Sequence, residues 1–312
     1  MYLFTYLSQD HPAPARQVGA LGIDINHSIQ VYCRSHQVEC PESTEARTSL
    51  AEWLTRGEEG LSLIQNATDW ILESFSKVDE MSWQENILFE FDSVSLCAPI
   101  PNPGKVICIA GNYPAQGKMD KPEFPTVFLK PSSGVVGDGH NVILPAAAKN
   151  VAYEVELGVV IGRRARNIAP ENALACVAGY TLANDMGDRL LEKRTSQWTS
   201  GKMFDTFTPM GPVLVTPDEL AQKDALEMTT KVNGVIVQHG RTDQMFFDIP
   251  HLVSILSELT TLLPGDIILS GSPKLMGETP NPAVSVKAGD RVEVSIEKLG
   301  TLFNPAIAEE EE

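Results

Sequence analysis

The chain has 312 residues, and its 24 Lys and Arg against 41 Asp and Glu give a formal net charge of −17 with His neutral. A polyanion of this kind repels phosphate backbones and anionic bilayers, which sets aside nucleic acid and membrane as partners. With 43% hydrophobic residues, the composition is globular, with room for one large domain or two ordinary ones.

The first residues, MYLFTYLSQDH, have no basic stretch and only a short apolar run, so no secretory signal is expected. No apolar run reaches the roughly 20 residues of a membrane helix. Val18–Ile25 and Ser28–Cys33 read as two strands about an Asn26-His27 turn. Thr48–Arg56 and Gly60–Phe75 carry apolar residues at helical spacing, among them Leu61, Ile64, Ile71 and Leu72. Residues 1–100 thus predict a small α/β domain without evident chemistry, closed by the turn-rich Pro99–Gly104.

From Lys105 the pattern is mainly β. Strands are expected at Val106–Ala110, Thr126–Lys130, Ala152–Ile161, Gly179–Asp185, Pro212–Val215, Glu227–Val232, Asp266–Ser270 and Arg291–Ile296. Helices are expected at Glu171–Val177, after Pro170, and at Ile249–Thr260, with Leu252, Val253, Leu256 and Leu259 on one face. Residues 101–308 predict one β-rich domain, and Glu309–Glu312 a solvated acidic tail. The five cysteines, Cys33, Cys40, Cys97, Cys108 and Cys176, are scattered without a C-x-x-C spacing. They read as small buried thiols of a reducing compartment, so a cytoplasmic protein is expected.

The chemistry concentrates in Tyr153-Glu154-Val155-Glu156-Leu157. A strand alternates its side chains, so Glu154 and Glu156 share a face within an otherwise apolar run. Asp185, at the end of another strand-like run, can bring a third carboxylate. Three hard oxygen ligands favour Mg²⁺, Mn²⁺ or Ca²⁺ over Zn²⁺. From the E-x-E alone, the preferred reading is two solvated glutamates on an exposed face.

The surrounding motifs decide between these. Lys105–Tyr113 (KVICIAGNY), Pro125–Ser132 (PTVFLKPS), Tyr153–Gly162, Gly179–Arg189 (GYTLANDMGDR), Gly201–Phe207 (GKMFDTF), Gly211–Val215, Leu262–Pro273 (LLPGDIILSGSP) and Leu299–Asn304 occur in this order. The ordered set resembles the fumarylacetoacetate hydrolase superfamily, in particular its acylpyruvate hydrolase and 2-hydroxyhepta-2,4-diene-1,7-dioate isomerase-like members, over about Lys105 to Ile307. The resemblance implies an α+β, mainly β fold, a mixed β-sandwich roll with a small N-terminal α/β domain. It implies a divalent cation, Mg²⁺ or Mn²⁺ with Ca²⁺ as the third choice, held by Glu154, Glu156 and Asp185. It implies a catalytic Lys202 beside the metal, a substrate-binding Arg189, Lys130 at the site edge, and substrate contacts from Tyr113 and Ser272. It also implies a homodimer acting on a small molecule. Other roles are open to several of these side chains. Arg189 equally suits a partner of Asp188 or Glu192, and Lys130 a structural role. Ser272 suits a cap of its turn, and Tyr113 a core aromatic. His140, His239 and His251 have no motif around them and read as non-catalytic.

Two positions depart from the family pattern. The family's hydrolases carry a lid His–Glu pair that activates water, and here those positions are Gln116 and Met119, with Asp120 one residue on. Gln cannot take up a proton near neutral pH, so Gln116 can orient a group but not serve as the base. Glu192 stands where the family usually has Gln and adds an anion to an anionic site. The resulting expectation is an enzyme that stabilises the enolate of a small 2-oxo acid or 1,3-dicarbonyl compound beside a metal. Its outcome is C–C hydrolysis, decarboxylation or tautomerisation. The alternative is a non-catalytic, metal-dependent ligand-binding protein that has lost the water-activating pair.

Overall fold

The computed structural model of the protein describes residues 1–41, 48–84, 87–114, 120–220, 225–273 and 285–310. The chain begins as a meander of β1 (Tyr2–Ser8), β2 (His11–Val18) and β3 (Leu21–Asp24), all antiparallel. Gln9 and Asp10 link the first two with φ of 48° and 64°, the positive values that a two-residue hairpin turn needs to match strand twist. The turn expected at Asn26-His27 therefore lies elsewhere, and the expected strand Ser28–Cys33 is the middle of helix α1 (Ile25–His36). The reason is a cap that the β-branched run hides. The Asp24 carboxylate accepts the His27 N–H at 2.8 Å, and Ile25, Ile29 and Cys33, spaced by four, then bury together.

Helix α2 (Leu50–Leu54) starts at a Ser49–Glu52 capping box, and the helix expected at Gly60–Phe75 lies inside the longer α3 (Gly57–Gln84). Short strands β4 (Leu88–Glu90) and β5 (Leu96–Cys97) pair with β3 and β1.

Next come β6 (Val106–Ala110), β7 (Thr126–Lys130), β8 (Val135–Val136), β9 (Val142–Leu144), β10 (Val151–Ala152) and β11 (Val155–Ile161). The short helix α4 (Pro170–Ala173) leads to β12 (Val177–Asn184) and β13 (Gly187–Asp188). Two single-turn helices, α5 (Arg189–Glu192) and α6 (Thr199–Lys202), precede β14 (Thr208–Val215). The rest is β15 (Glu227–Val232), β16 (Val235–Arg241), α7 (Ile249–Leu259), β17 (Ile267–Leu269), β18 (Arg291–Ile296) and β19 (Gly300–Ala308).

Among the described residues twelve strands form one mixed sheet in the order β4-β3-β2-β1-β14-β12-β11-β17-β6-β7, with β5 on β1 and β8 on β14. A second sheet of five runs β16-β15-β18-β19-β9. The boundary expected at Pro99–Gly104 falls between β5 and β6, and strands from both sides of it share the large sheet, because β1 pairs with β14. Glu309 binds back to the body through its N–H on the Leu144 carbonyl and its carboxylate on the Ala146 N–H, while Glu311 and Glu312 lie outside the described residues.

The large sheet is covered on both faces, which is why every residue of β11 is buried. Val155, Leu157, Val159 and Ile161 face the small sheet and α7, packing with Met228, Val294, Leu302 and Leu252. Val160, one register off, faces the other way, onto a core with Cys108, Leu269, Ile29, Trp53 and Ile64. Glu156 lies on this second face. Among the described residues no helix is long and apolar enough to cross a membrane.

Candidate active site

Strand pairing builds the carboxylate cluster. β11 and β12 run antiparallel with Val155 opposite Asn184 and Glu156 opposite Ala183, so Glu154 stands opposite Asp185. The Asp185 N–H donates to the Glu154 carbonyl at 2.8 Å, and the Glu154 N–H to Asn184 Oδ1 at 3.0 Å, which fixes that register. Residues opposite each other, and residues two apart, point the same way, so all three acids converge. One oxygen from each of Glu154, Glu156 and Asp185 lies within 4.8 Å of the others.

Three cations surround them. Lys202 Nζ is 2.6 Å from Glu154 Oε2, 2.8 Å from Asp185 Oδ2 and 3.0 Å from the Asp185 carbonyl. Arg189 bridges Glu154 Oε1 at 2.6 Å and Glu192 Oε2 at 2.9 Å. Lys130, whose side chain is fully buried, gives its protons to Asp185 Oδ1 at 2.6 Å and to the Met186 and Phe207 carbonyls, each at 2.7 Å. Burial alone would raise the Glu154 carboxyl, but the charges of Lys202 and Arg189 reverse this and hold it at about 2. For Lys202, burial works against the charged form, and Asp185, Glu154 and Glu192 outweigh it, so the ammonium stays above the ordinary lysine value.

Glu156 is the exception. Its Oε2 accepts the Gly271 N–H at 2.8 Å, and among the described residues it has no cationic partner. Burial, then the charges of Asp185 and Glu154, push its carboxyl well above the usual range. Gly271 reaches it only because it is glycine: its φ is +94°, and a Cβ there would sit 2.9 Å from Asn112 Cβ and from the Ile109 carbonyl. A buried carboxylate with one hydrogen bond and two anionic neighbours is a place for a cation. The donor set is all oxygen, which suits Mg²⁺, Mn²⁺ or Ca²⁺. When all are ionised, Glu154, Glu156, Asp185 and Glu192 exceed Lys130, Lys202 and Arg189 by one negative charge. A divalent cation would leave the site positive by one, the sign that receives a carboxylate.

A cavity of about 360 Å³ opens over this cluster. Glu154, Glu156, Asp185, Arg189, Glu192, Lys202 and Ser272 line it, so the structure brings these expected residues to one place. Two others it does not bring. Lys130 lies behind Asp185 with its protons spent on protein acceptors, and burial lowers its ammonium from the ordinary value although Asp185 opposes this. Tyr113 is 2% exposed in the core, with its hydroxyl 3.3 Å from Met228 Sδ. Gln116 and Met119 lie outside the described residues.

Phe128, Trp198 and Gln238 also line the cavity; Trp198 and Gln238 lie outside every quoted motif, and Phe128 lies inside one but was given no role. Phe128 and Trp198 meet edge to face with centroids 5.9 Å apart, and Lys202 Nζ stands 5.5 Å from the Phe128 ring. Gln238 accepts the Val155 N–H at 2.9 Å and donates to the Pro273 carbonyl, tying the E-x-E strand to the Gly271-Ser272-Pro273 turn. Asn112, inside a quoted motif but given no role, clamps the same turn region. Its amide donates to the Phe247 and Ser270 carbonyls and its oxygen accepts the Phe247 N–H.

The chain is similar to known proteins in sequence and in fold. The family model "Fumarylacetoacetate (FAA) hydrolase C-terminal" matches residues 105–306. The oxaloacetate tautomerase Fahd2a, mitochondrial, of Rattus norvegicus is 38% identical over 263 residues, 83% of this chain and 80% of that protein. The fumarylacetoacetate hydrolase of Exiguobacterium antarcticum superposes with a TM-score of 0.79 at 29% identity, covering 99% of this chain and 100% of that one. The maleylpyruvate hydrolase of Sphingobium sp. SYK-6, solved with manganese (II) ion and pyruvate, superposes with a TM-score of 0.69 at 25% identity, covering 99% of this chain and 100% of that one.

Proposed function

The chain belongs to the fumarylacetoacetate hydrolase family and is an enzyme, and on that premise we propose that it interconverts the keto and enol forms of a small 2-oxo acid, oxaloacetate being the first candidate. The observation that carries the reading is Lys202, a buried ammonium that lines the cavity while held by Glu154 and Asp185. Tautomerisation passes through an enolate, and a fixed cation beside the enolate oxygen favours that charge over the neutral ketone. Arg189 has spent two of its five donors on Glu154 and Glu192, and the remainder can orient a substrate carboxylate. Ile109, Phe128, Tyr153, Trp198 and Pro273 form the apolar walls that strengthen these charges by excluding water. Glu154, Glu156 and Asp185 would hold a divalent cation, Mg²⁺ or Mn²⁺, which when bound supplies the Lewis-acid charge that polarises the 2-oxo group. The manganese and pyruvate of the maleylpyruvate hydrolase support this pairing of a divalent cation with a 2-oxo acid.

Divalent cation is expected to raise the melting temperature. At a hundredfold excess over Kd the native state gains about 2.7 kcal/mol, which for a domain of this size is on the order of 5 °C. Glu156→Ala removes a ligand and should abolish most of the rise. Equal melting temperatures in chelator and in Mg²⁺ or Mn²⁺ would show that no cation binds here.

Hydrolysis of a C–C bond is the second reading, favoured by the two hydrolases of the same fold. It needs an activated water, and Gln116 and Met119 stand where a His–Glu pair would supply one. A general base contributes about 10²–10⁴-fold, so wild-type cleavage of acylpyruvates should fall short of a hydrolase that carries the pair by that order, and Gln116→Ala should keep a substantial part of the tautomerase activity. Enol decay followed by absorbance, beside product analysis on acylpyruvates, separates the two. Fast acylpyruvate cleavage that disappears in Gln116→Ala would establish hydrolysis instead. All the cavity-lining residues fall within 109–273, which supports assigning the chemistry to residues 101–308 and a shaping role to residues 1–100. The five cysteines are all free, which fits a cytoplasmic enzyme. Its assembly in this reading is a homodimer, to be checked by light scattering.

A further inference from the structure

Glu192 is 7% exposed and lines the cavity, yet its Oε1 has no hydrogen-bond donor. Its Oε2 is fixed by Arg189, which sets the orientation of the carboxylate. Oε1 stands 3.9 Å from Lys202 Nζ, just beyond hydrogen-bond reach. Lys202 has three protons and three nearer acceptors, Glu154 Oε2, Asp185 Oδ2 and the Asp185 carbonyl. The space between the two side chains is kept clear by Gly187. A Cβ there would lie 2.5 Å from Glu192 Oε1 and 2.8 Å from Lys202 Cδ. A charged acceptor has thus been buried beside an ammonium, at the cost of its hydration, without receiving a proton from it.

Two of the three acceptors of Lys202 are carboxylates of the cation site, and a carboxylate oxygen that turns to a divalent cation is lost to the ammonium. A buried ammonium that loses acceptors must find others or give up its charge. We propose that Glu192 Oε1 is the acceptor held in reserve: when Glu154 and Asp185 take a divalent cation, Lys202 passes to Glu192, and Glu192 thereby sets the cation affinity of the site. The exchange rests on the metal site of the proposed function. It makes Glu192 a positioning residue, acting through Lys202, and it keeps the ammonium charged and inside the cavity when the site is loaded.

The test is Mn²⁺ binding by the full chain, read as free Mn²⁺ by electron paramagnetic resonance, for wild type, Glu192→Gln, Lys202→Met and the double variant. Glu192→Gln should bind Mn²⁺ about tenfold more weakly. Its melting temperature without cation should not fall, because the amide oxygen still serves Arg189 and the buried carboxylate oxygen without a donor is gone. On the Lys202→Met background the same substitution should change nothing, because no ammonium remains to be received. Glu192→Leu, which cannot accept a hydrogen bond, should repeat the loss and serves if the amide variant does not fold. Wild-type affinity in Glu192→Gln overturns the exchange. So does a tenfold loss that persists without Lys202, since that is simple charge attraction between Glu192 and the cation. Wild type that takes up no Mn²⁺ removes the metal site itself, and with it both this exchange and the cation of the proposed function.

Discussion

Lys202→Met is expected to slow the keto–enol interconversion of oxaloacetate by about 10³-fold, the scale found when one preorganised donor to a developing oxyanion is removed. Met keeps the length of the side chain and its fit against Phe128 but carries no charge. The loss should fall on kcat, because the ammonium favours the enolate over the neutral ketone and does little for ground-state binding. Lys202→Arg should not rescue it. The ammonium is a compact centre shared among three acceptors at 2.6 to 3.0 Å, whereas guanidinium is a planar fork, and Gly187 leaves no spare room beside it. With its carboxylate neighbours raising its pKa, Lys202 stays protonated through neutral pH and serves as a cation, not as a base. Initial rates from enol absorbance, with substrate varied, separate kcat from KM. A Lys202→Met enzyme within tenfold of wild type would move the enolate-stabilising role to another group.

Lys130→Met should instead cost stability, by about 3 kcal/mol or more, since three buried acceptors lose their donor at about 1–3 kcal/mol each. Lys130 is fully buried, and its removal leaves Asp185 Oδ1 and the Met186 and Phe207 carbonyls without their donor, while Asp185 Oδ2 keeps Lys202. For a protein whose net stability is on the order of 5–15 kcal/mol, that is a large fraction. Denaturant unfolding should show the midpoint fall at unchanged slope. If the variant folds, KM should stay near wild type, since Lys130 does not reach the cavity. A raised KM at unaltered stability would return Lys130 to the substrate-binding role that the family resemblance gave it.

What was legible in the sequence follows the period of the side chains. Alternation put Glu154 and Glu156 on one face, but it equally allowed two solvated glutamates, and it was the family resemblance that joined them with Asp185 in one cluster; the antiparallel register of β11 and β12 then brings the three together. Eight of the strands from Val106 onward were readable from their apolar runs, whereas β8, β9, β13, β16 and β19 were not expected. Ser28–Cys33 was not, because an apolar segment this short does not tell helix from strand, and the deciding cap, Asp24, lies four residues earlier. Arg189 had two candidate partners nearby. The structure gives it Glu192 and the distant Glu154, while Asp188 caps α5 and takes the Lys149 and Asn150 N–H groups. Lys130 and Tyr113 sit in sequence beside site residues, but whether a side chain faces the cavity or the packing behind it depends on contacts more than fifty residues away. Gln238 was silent for a related reason. It is buried beside Val237 in β16, and its value lies in joining the Val155 N–H to the Pro273 carbonyl, neither of which is near it in the chain.

The pairing of β1 with β14 bears on how the protein can be cut. Leu3 pairs with Leu214 and Tyr2 with Val215, and β14 is also the neighbour of β12, the strand that delivers Asp185. A fragment beginning at residue 105, where the family match starts, would leave part of β14 with bare amides and carbonyls and would uncover the apolar floor that Ile29, Trp53 and Ile64 now shield. An unprotected edge of that kind recruits a strand from another molecule. The shortened protein should therefore come out of expression as aggregate or as an exchanged oligomer. The first hundred residues share the sheet that holds the site and cover one of its faces.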